Sequence, residues 1–321
     1  MRLGRLYEKA IAVGIKNDLR KAQGVKKWLL RMRREYNKLP KEKRKFFDKE
    51  HLTNPYADTR ILYGDHKTEV KSVLLGIDIG PGEVVLADRL REKGKAIDLV
   101  MSHHPQGQAL AHLYRVMYLQ ADVFHNMGVP LEIAEDLMAG RVSEVQRGLL
   151  PANHTRSLDA ARLLKIPFMC AHTVADNCVA NFLQTMMDKK RPKRLQDVIA
   201  LLMAIPEYRD AARIGAGPTI LKGKKTSPAG KVFIDMTGGT EGARNIFPRL
   251  ARAGVGTVIG MHLSEAHLKK ARGAHINVII AGHISSDNVG LNILLDELSI
   301  GERLEIIPCS GFKRVTRKKR R

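Results

Sequence analysis

Cysteine is scarce in this chain. Cys170, Cys178 and Cys309 are odd in number, widely spaced and form no CxxC pair, which argues against a disulfide framework or a thiolate zinc cluster. No uninterrupted apolar run comes near the ~18 residues that a membrane span needs, and the N-terminus carries charges but no apolar signal core. A membrane or classically secreted protein is therefore not expected, and a reducing, cytoplasmic setting is. Aromatic residues are also few, at 5%, against 44% hydrophobic and 27% charged residues. That mixture belongs to an ordinary globular chain, and 321 residues suffice for roughly two domains or lobes.

Acidic residues fall short of basic ones, with 55 Lys and Arg against 33 Asp and Glu, and the net +22 is unevenly spread. Residues 1–50 hold 17 basic and 6 acidic side chains, and residues 313–321 hold 7 basic and none acidic. The remaining 262 residues carry only +4. A basic helical arm over 1–56 and a basic tail over 312–321 are thus expected to flank a nearly neutral body. Such ends suit sequence-independent attraction to nucleic acid, or they are simply solvated. Trp28, Tyr36, Phe46 and Phe47 interleave with the basic residues of the arm, where they could stack bases or pack.

Between these ends the texture is α/β. The arm reads as two helices interrupted at Pro40, followed by a turn-rich stretch over 53–58. Buried strands are expected over 72–78, 97–101, 166–171, 231–235, 256–260 and 276–281. Helices are expected over 82–94, 108–126, 131–150, 158–164, 243–253, 265–273 and 287–298. The alternation implies parallel pairing with right-handed crossovers. It divides the body into a first α/β lobe over 57–185 and a second over 186–311.

Three polar clusters follow apolar strands, where ligands collect in open α/β sheets. They are Ser102-His103-His104-Pro105, Ala171-His172-Thr173-x-x-Asp176 and Gly282-His283-x-x-Ser286-Asp287. Taken singly, each has a bland reading: surface histidines for the first, helix caps for the others. Their recurrence favours metal. Three strand ends deliver histidine and two add an aspartate one turn later, a donor mixture that divalent cations prefer. Five such ligands exceed one tetrahedral site, so two metals fit better.

These motifs resemble the Nif-three-like family, the GTP cyclohydrolase I type 2 homologues. The resemblance extends over approximately residues 60–308, including Leu62-Tyr63-Gly64-Asp65 and Thr237-Gly238-Gly239-Thr240-Glu241-Gly242. It implies two divalent ions (Zn, Mn, Fe or Mg) in a cleft between two α/β lobes, and assembly into a hexamer. Carried over by motif, His103, His104, Asp176, His283 and Asp287 would be the ligands, with His172 close by. Asp287 departs from the family pattern, which has Glu there, and its reach is one methylene shorter.

Other candidates are weaker. Gly238-Gly239-Thr240-Glu241-Gly242 lacks a P-loop lysine and reads as a tight turn rather than a nucleotide site. His262, Glu265 and His267 cluster in sequence, and Glu265, like His172, is a candidate proton carrier. The expected function is a dinuclear-metal hydrolase of a small phosphorylated or nucleotide-like substrate, with metal-activated water as attacking group. The alternative is an oligomeric, metal-containing regulatory or nucleic-acid-binding protein without turnover. A phosphoesterase bearing an Asp-His-His motif is disfavoured by Ser102.

Overall fold

The computed structural model describes residues 1–317. Its strands are β1 (Thr59–Tyr63), β2 (Ser72–Gly76), β3 (Leu99–Ser102), β4 (Phe168–Ala171), β5 (Thr219–Lys222), β6 (Lys231–Asp235), β7 (Val255–Gly260), β8 (Asn277–Ile280) and β9 (Glu305–Cys309). They form a five-stranded sheet in the order β1-β4-β3-β2-β9 and a four-stranded sheet in the order β5-β8-β7-β6. In each, a parallel set carries one antiparallel edge strand, β1 against β4 and β5 against β8. The central strands β2, β3 and β4 are wholly buried, which explains their near-continuous apolar sequences. The α/β class with two α/β units is as expected.

Parallel strands deliver their carboxyl ends to one side of a sheet. Here β3 hands the chain to His103 and His104, β4 to His172, and β8, through Ala281-Gly282, to His283. Two long helices start at the last two points: Thr173–Lys190, which carries Asp176, and His283–Leu298, which carries Asp287. These helices pack on each other. At Gly290 a Cβ would stand 2.3 Å from the Ala175 carbonyl oxygen, so only glycine permits this approach.

Several expectations need correction. The 108–126 segment is three short helices, Gly107–Ala111, Leu113–Val116 and Leu119–Asn126. The last long helix begins at His283, four residues ahead of the expected start, which puts Asp287 inside its first turns. The 243–253 segment opens as a 3-10 turn, Arg244–Ile246, before helix Phe247–Arg252.

The basic ends also differ from the simple picture of an arm and a tail. Helix α1 (Leu3–Asn17) buries Leu3, Leu6 and Ala10 completely, in the core beneath the five-stranded sheet. Those positions share one helical face, so α1 is part of the body despite its charge. Its link to the next helix is fixed by a buried Asp18–Arg20 pair at 2.8 Å, and the Tyr56 hydroxyl donates to Asp18 at 2.8 Å. Helix α2 (Lys21–Lys38) instead buries only Val25. Tyr36 packs on Phe47 with ring centroids 5.1 Å apart, while Phe46 stands in solvent. In the tail, Lys313, Arg314 and Arg317 pair with Asp210, Asp296 and Glu207, so their charge is largely offset within the chain. Residues 318–321 of the expected tail lie outside the described residues. Among the described residues, no helix is long and apolar enough to cross a membrane.

Candidate metal centre

Both histidines after β3 are held by backbone bonds that continue the sheet: the His103 amide donates to Gly76 and the His104 amide to Ile77. Each ring is then oriented through Nδ1. His103 Nδ1 donates to the Ala171 carbonyl at 3.1 Å, and His104 Nδ1 donates to Asp78 Oδ1 at 2.6 Å. Occupying Nδ1 as a donor leaves the Nε2 lone pair free, the arrangement by which outer partners prepare a histidine ligand.

The free nitrogens converge on Asp287. Its Oδ1 lies 3.4 Å from His103 Nε2, and its Oδ2 lies 3.5 Å from His104 Nε2 and 3.7 Å from His283 Nε2. Asp176 Oδ1 is 3.5 Å from the same His103 nitrogen. Two donor sets therefore share Asp287: His103, Asp176 and Asp287, and His104, His283 and Asp287. The first strand ends and the last helix bring them together from the two sheets. Aspartate is long enough here, since both of its oxygens face donors.

The residues fit a metal. Asp287 is 1% exposed, yet among the described residues neither of its oxygens, nor His103 Nε2, has a hydrogen-bond partner. A buried carboxylate left in this way costs several kcal/mol. Bonds of about 2.0–2.1 Å at tetrahedral angles put neighbouring donors about 3.3–3.4 Å apart, close to the separations above.

Electrostatics divide the surrounding groups. Burial opposes ionisation of Asp287, but His103, His104 and His283 hold its carboxyl far below the usual range. Burial pushes Asp176 up to about 6, against the pull of His172 and His103. Burial depresses His283 to about 4, aided by the nearby rings of His104, His262 and His103. His172 goes the other way. Burial disfavours its charge, but Asp176, Asp58 and Asp287 raise it to about 9.

His172 thus adjoins the centre, with Nδ1 donating to Asp58 Oδ2 at 2.8 Å and Nε2 lying 3.7 Å from Asp176 Oδ2. Glu265 does not. Its side chain is 80% exposed and pairs with Arg272, because it occupies the outward face at the start of helix Glu265–Gly273. Glu241 takes the place expected of it, 3.3 Å from His262 Nδ1 and 3.2 Å from His267 Nδ1, and it accepts from the Ser264 amide at 2.6 Å. The His262 ring lies 4.9 Å from that of His283. Sequence reasoning missed Asp58, Asp78 and Glu241. Asp78 alone had a signal, as a carboxylate just beyond the end of β2.

The glycine-rich loop is a tight turn, as read. Gly238 and Gly239 have φ of +95° and +88°, and Gln120 Nε2 donates to the Gly238 and Thr240 carbonyls at 2.8 Å each. Together with Glu241 and His262, the loop lines a cleft that opens onto His172, Asp176, His283 and Asp287.

Neither a protein-family model nor a curated protein matches the chain. Among solved structures, a NIF3 superfamily protein from Sphaerobacter thermophilus is 31% identical, with a TM-score of 0.67, over 79% of this chain and 91% of that one. The chain belongs to the NIF3 superfamily. More distant similarity reaches reduced HcgD from Methanocaldococcus jannaschii, at 16% identity and TM-score 0.45 over 77% of this chain and 87% of that one. A Bacillus cereus protein related to NIF3 is 12% identical, with TM-score 0.40 over 78% and 89%. NIF3 membership bears out the resemblance read from the histidine motifs, and buried His and Asp groups of this NIF3 chain could hold metal ions.

Proposed function

We propose that this NIF3 superfamily chain is a dinuclear divalent-metal hydrolase acting on a small phosphorylated or nucleotide-like molecule. The observation that carries the reading is Asp287, a buried carboxylate whose two oxygens each face a separate donor set. His103 and Asp176 would hold one ion, His104 and His283 the other, and Asp287 both. Such a pair supplies an activated water near neutral pH and stabilises charge on attacking and leaving oxygens.

The chain's own residues support that chemistry. Asp78 and the Ala171 carbonyl fix the ligand tautomers. His172, oriented by its Nδ1 bond to Asp58 and set beside Asp176, is placed to pass a proton to a leaving oxygen. His262, whose charged form is favoured by its bond to Glu241, lines the same cleft beside His283. The test is metal analysis of the purified protein, then a screen of phosphoester and nucleotide substrates. Stoichiometric metal with turnover supports the proposal. Metal without turnover would favour a regulatory protein.

That second reading has one observation of its own. A groove of about 830 Å³ beside α2 is lined by Lys26, Lys27, Arg31, Arg34 and Arg115 against the acidic Glu35, Asp122 and Glu135, with Trp28 among them, a net basic surface that suits phosphate and base stacking. We also propose the lobe boundaries 57–185 and 186–311, a cytoplasmic location and a homohexamer. In the hexamer proposal, light scattering should return six times the chain mass of 35.8 kDa, and a strict monomer at micromolar concentration would refute it. The returning strand β9 pairs with β2, so the second lobe's last segment completes the first lobe's sheet.

A further inference from the structure

Three more donors, none of them in the Asp287 groups, converge where the N-terminal segment meets the body. Asp48 caps a 3-10 turn, Lys49–Leu52, by accepting from the Glu50 amide at 3.3 Å. Three residues per turn place His51 on the face of Asp48. His112 arrives from the opposite side, at the break where helix Gly107–Ala111 ends and Leu113–Val116 begins. Asp48 Oδ2 lies 3.4 Å from His51 Nε2 and 3.3 Å from His112 Nδ1, and the three donor atoms lie within 4.8 Å of one another. Both carboxylate–imidazole separations match donors about 3.3–3.4 Å apart around a tetrahedral ion with bonds of about 2.0–2.1 Å.

The site has an unmet need that points to a ligand. His51 is 2% exposed, and among the described residues neither of its ring nitrogens has a hydrogen-bond partner; nor does His112 Nδ1. A buried imidazole normally satisfies both nitrogens. Asp48 is itself oriented by Arg60, which contacts both of its oxygens and reaches Glu50 at 2.9 Å. Arg60 thus serves as the outer partner that ligand carboxylates require, and with Arg115 also near His51 the two guanidiniums balance the two carboxylates. Trp28 and Phe47 enclose the His51 ring, at centroid distances of 6.2 and 6.4 Å.

We infer that Asp48, His51 and His112 form a second metal site that takes one zinc-like divalent ion, with a fourth position open, and clamps the basic N-terminal segment onto the body. Two imidazoles and one carboxylate are the donor set of a borderline cation rather than of calcium or magnesium.

The site is tested by titrating zinc into chelator-stripped protein that carries His103→Ala and Asp287→Ala, so that the centre between the sheets does not contribute. One equivalent should still bind, and adding His112→Gln should weaken it at least ~100-fold, beyond the ~10–100-fold that loss of an outer partner costs. No zinc binding in the double variant, or binding unmoved by His112→Gln, overturns the proposal. Failure of the dinuclear proposal would leave this equivalent intact. In the unaltered chain, amide protection across residues 48–52 and at residue 112 should rise when zinc is added; no rise overturns the proposal even if the variants do not fold.

Discussion

Replacing Asp287 by Asn changes the shape of the side chain almost not at all and removes one negative charge. In the wild type, Oδ1 faces His103 and Asp176 while Oδ2 faces His104 and His283. The amide offers an oxygen to one set and turns an NH2 donor toward the other. At 1% exposure, water screens little of the loss. Even at an effective dielectric of about 20, a unit charge pair about 4 Å apart is worth ~4 kcal/mol, and each ion carries two charges, so ~4 kcal/mol per ion is a lower bound. That corresponds to about three decades in affinity. Zinc or manganese titration of stripped protein against a competing chelator reads it directly. The variant should also lose the rise in melting temperature that metal confers on the wild type. Wild-type affinity for both ions in Asp287→Asn would remove Asp287 from the centre.

Other consequences follow from the same geometry. Gly290→Ala should cost about 1–3 kcal/mol in urea unfolding and also weaken metal binding, because the helices carrying Asp176 and Asp287 must part to clear the Ala175 carbonyl; unchanged stability would contradict that packing. Burial opposes the charge of Glu241, but His262 and His267 lower its carboxyl to about 2. The stability it contributes, about 1–2 kcal/mol, should be complete above pH ~4.5 and lost as pH falls through about 2. The wild type and Glu241→Gln should accordingly converge in acid, and a gap that widens there would refute the assignment. Reversing Lys26, Lys27, Arg31 and Arg34 to Glu should abolish any nucleic-acid binding and its salt dependence, expected at a log–log slope of about −0.9 per neutralised phosphate, while leaving metal content unchanged. Deleting residues 1–50 would not test this cleanly, because it removes the buried face of α1.

What the sequence revealed of the fold was its interior. β2, β3, β4, β6, β7 and β8 announce themselves because strands buried on both faces read as apolar runs. β1, β5 and β9 are only partly buried, with β5 alternating exposed and half-buried residues, so they blend into their flanking turns. Charge averaging over residues 1–50 hid Leu3, Leu6 and Ala10, whose stripe buries α1. At the centre, recurrence at strand ends pointed to the three clusters, and the family resemblance singled out the five proposed ligands among them. Asp58 and Glu241 were invisible because they act through other side chains from loops far away in sequence. Glu265 misled because proximity to His262 in sequence says nothing about which face of a helix a side chain takes.

Asp287, on the proposed reading, is shared by two ions. Crystals of the metal-loaded protein, measured at the absorption edge of the bound metal, should show two anomalous peaks flanking Asp287, one against His103 and Asp176 and the other against His104 and His283. A single peak touching both histidine groups, or none, would contradict it.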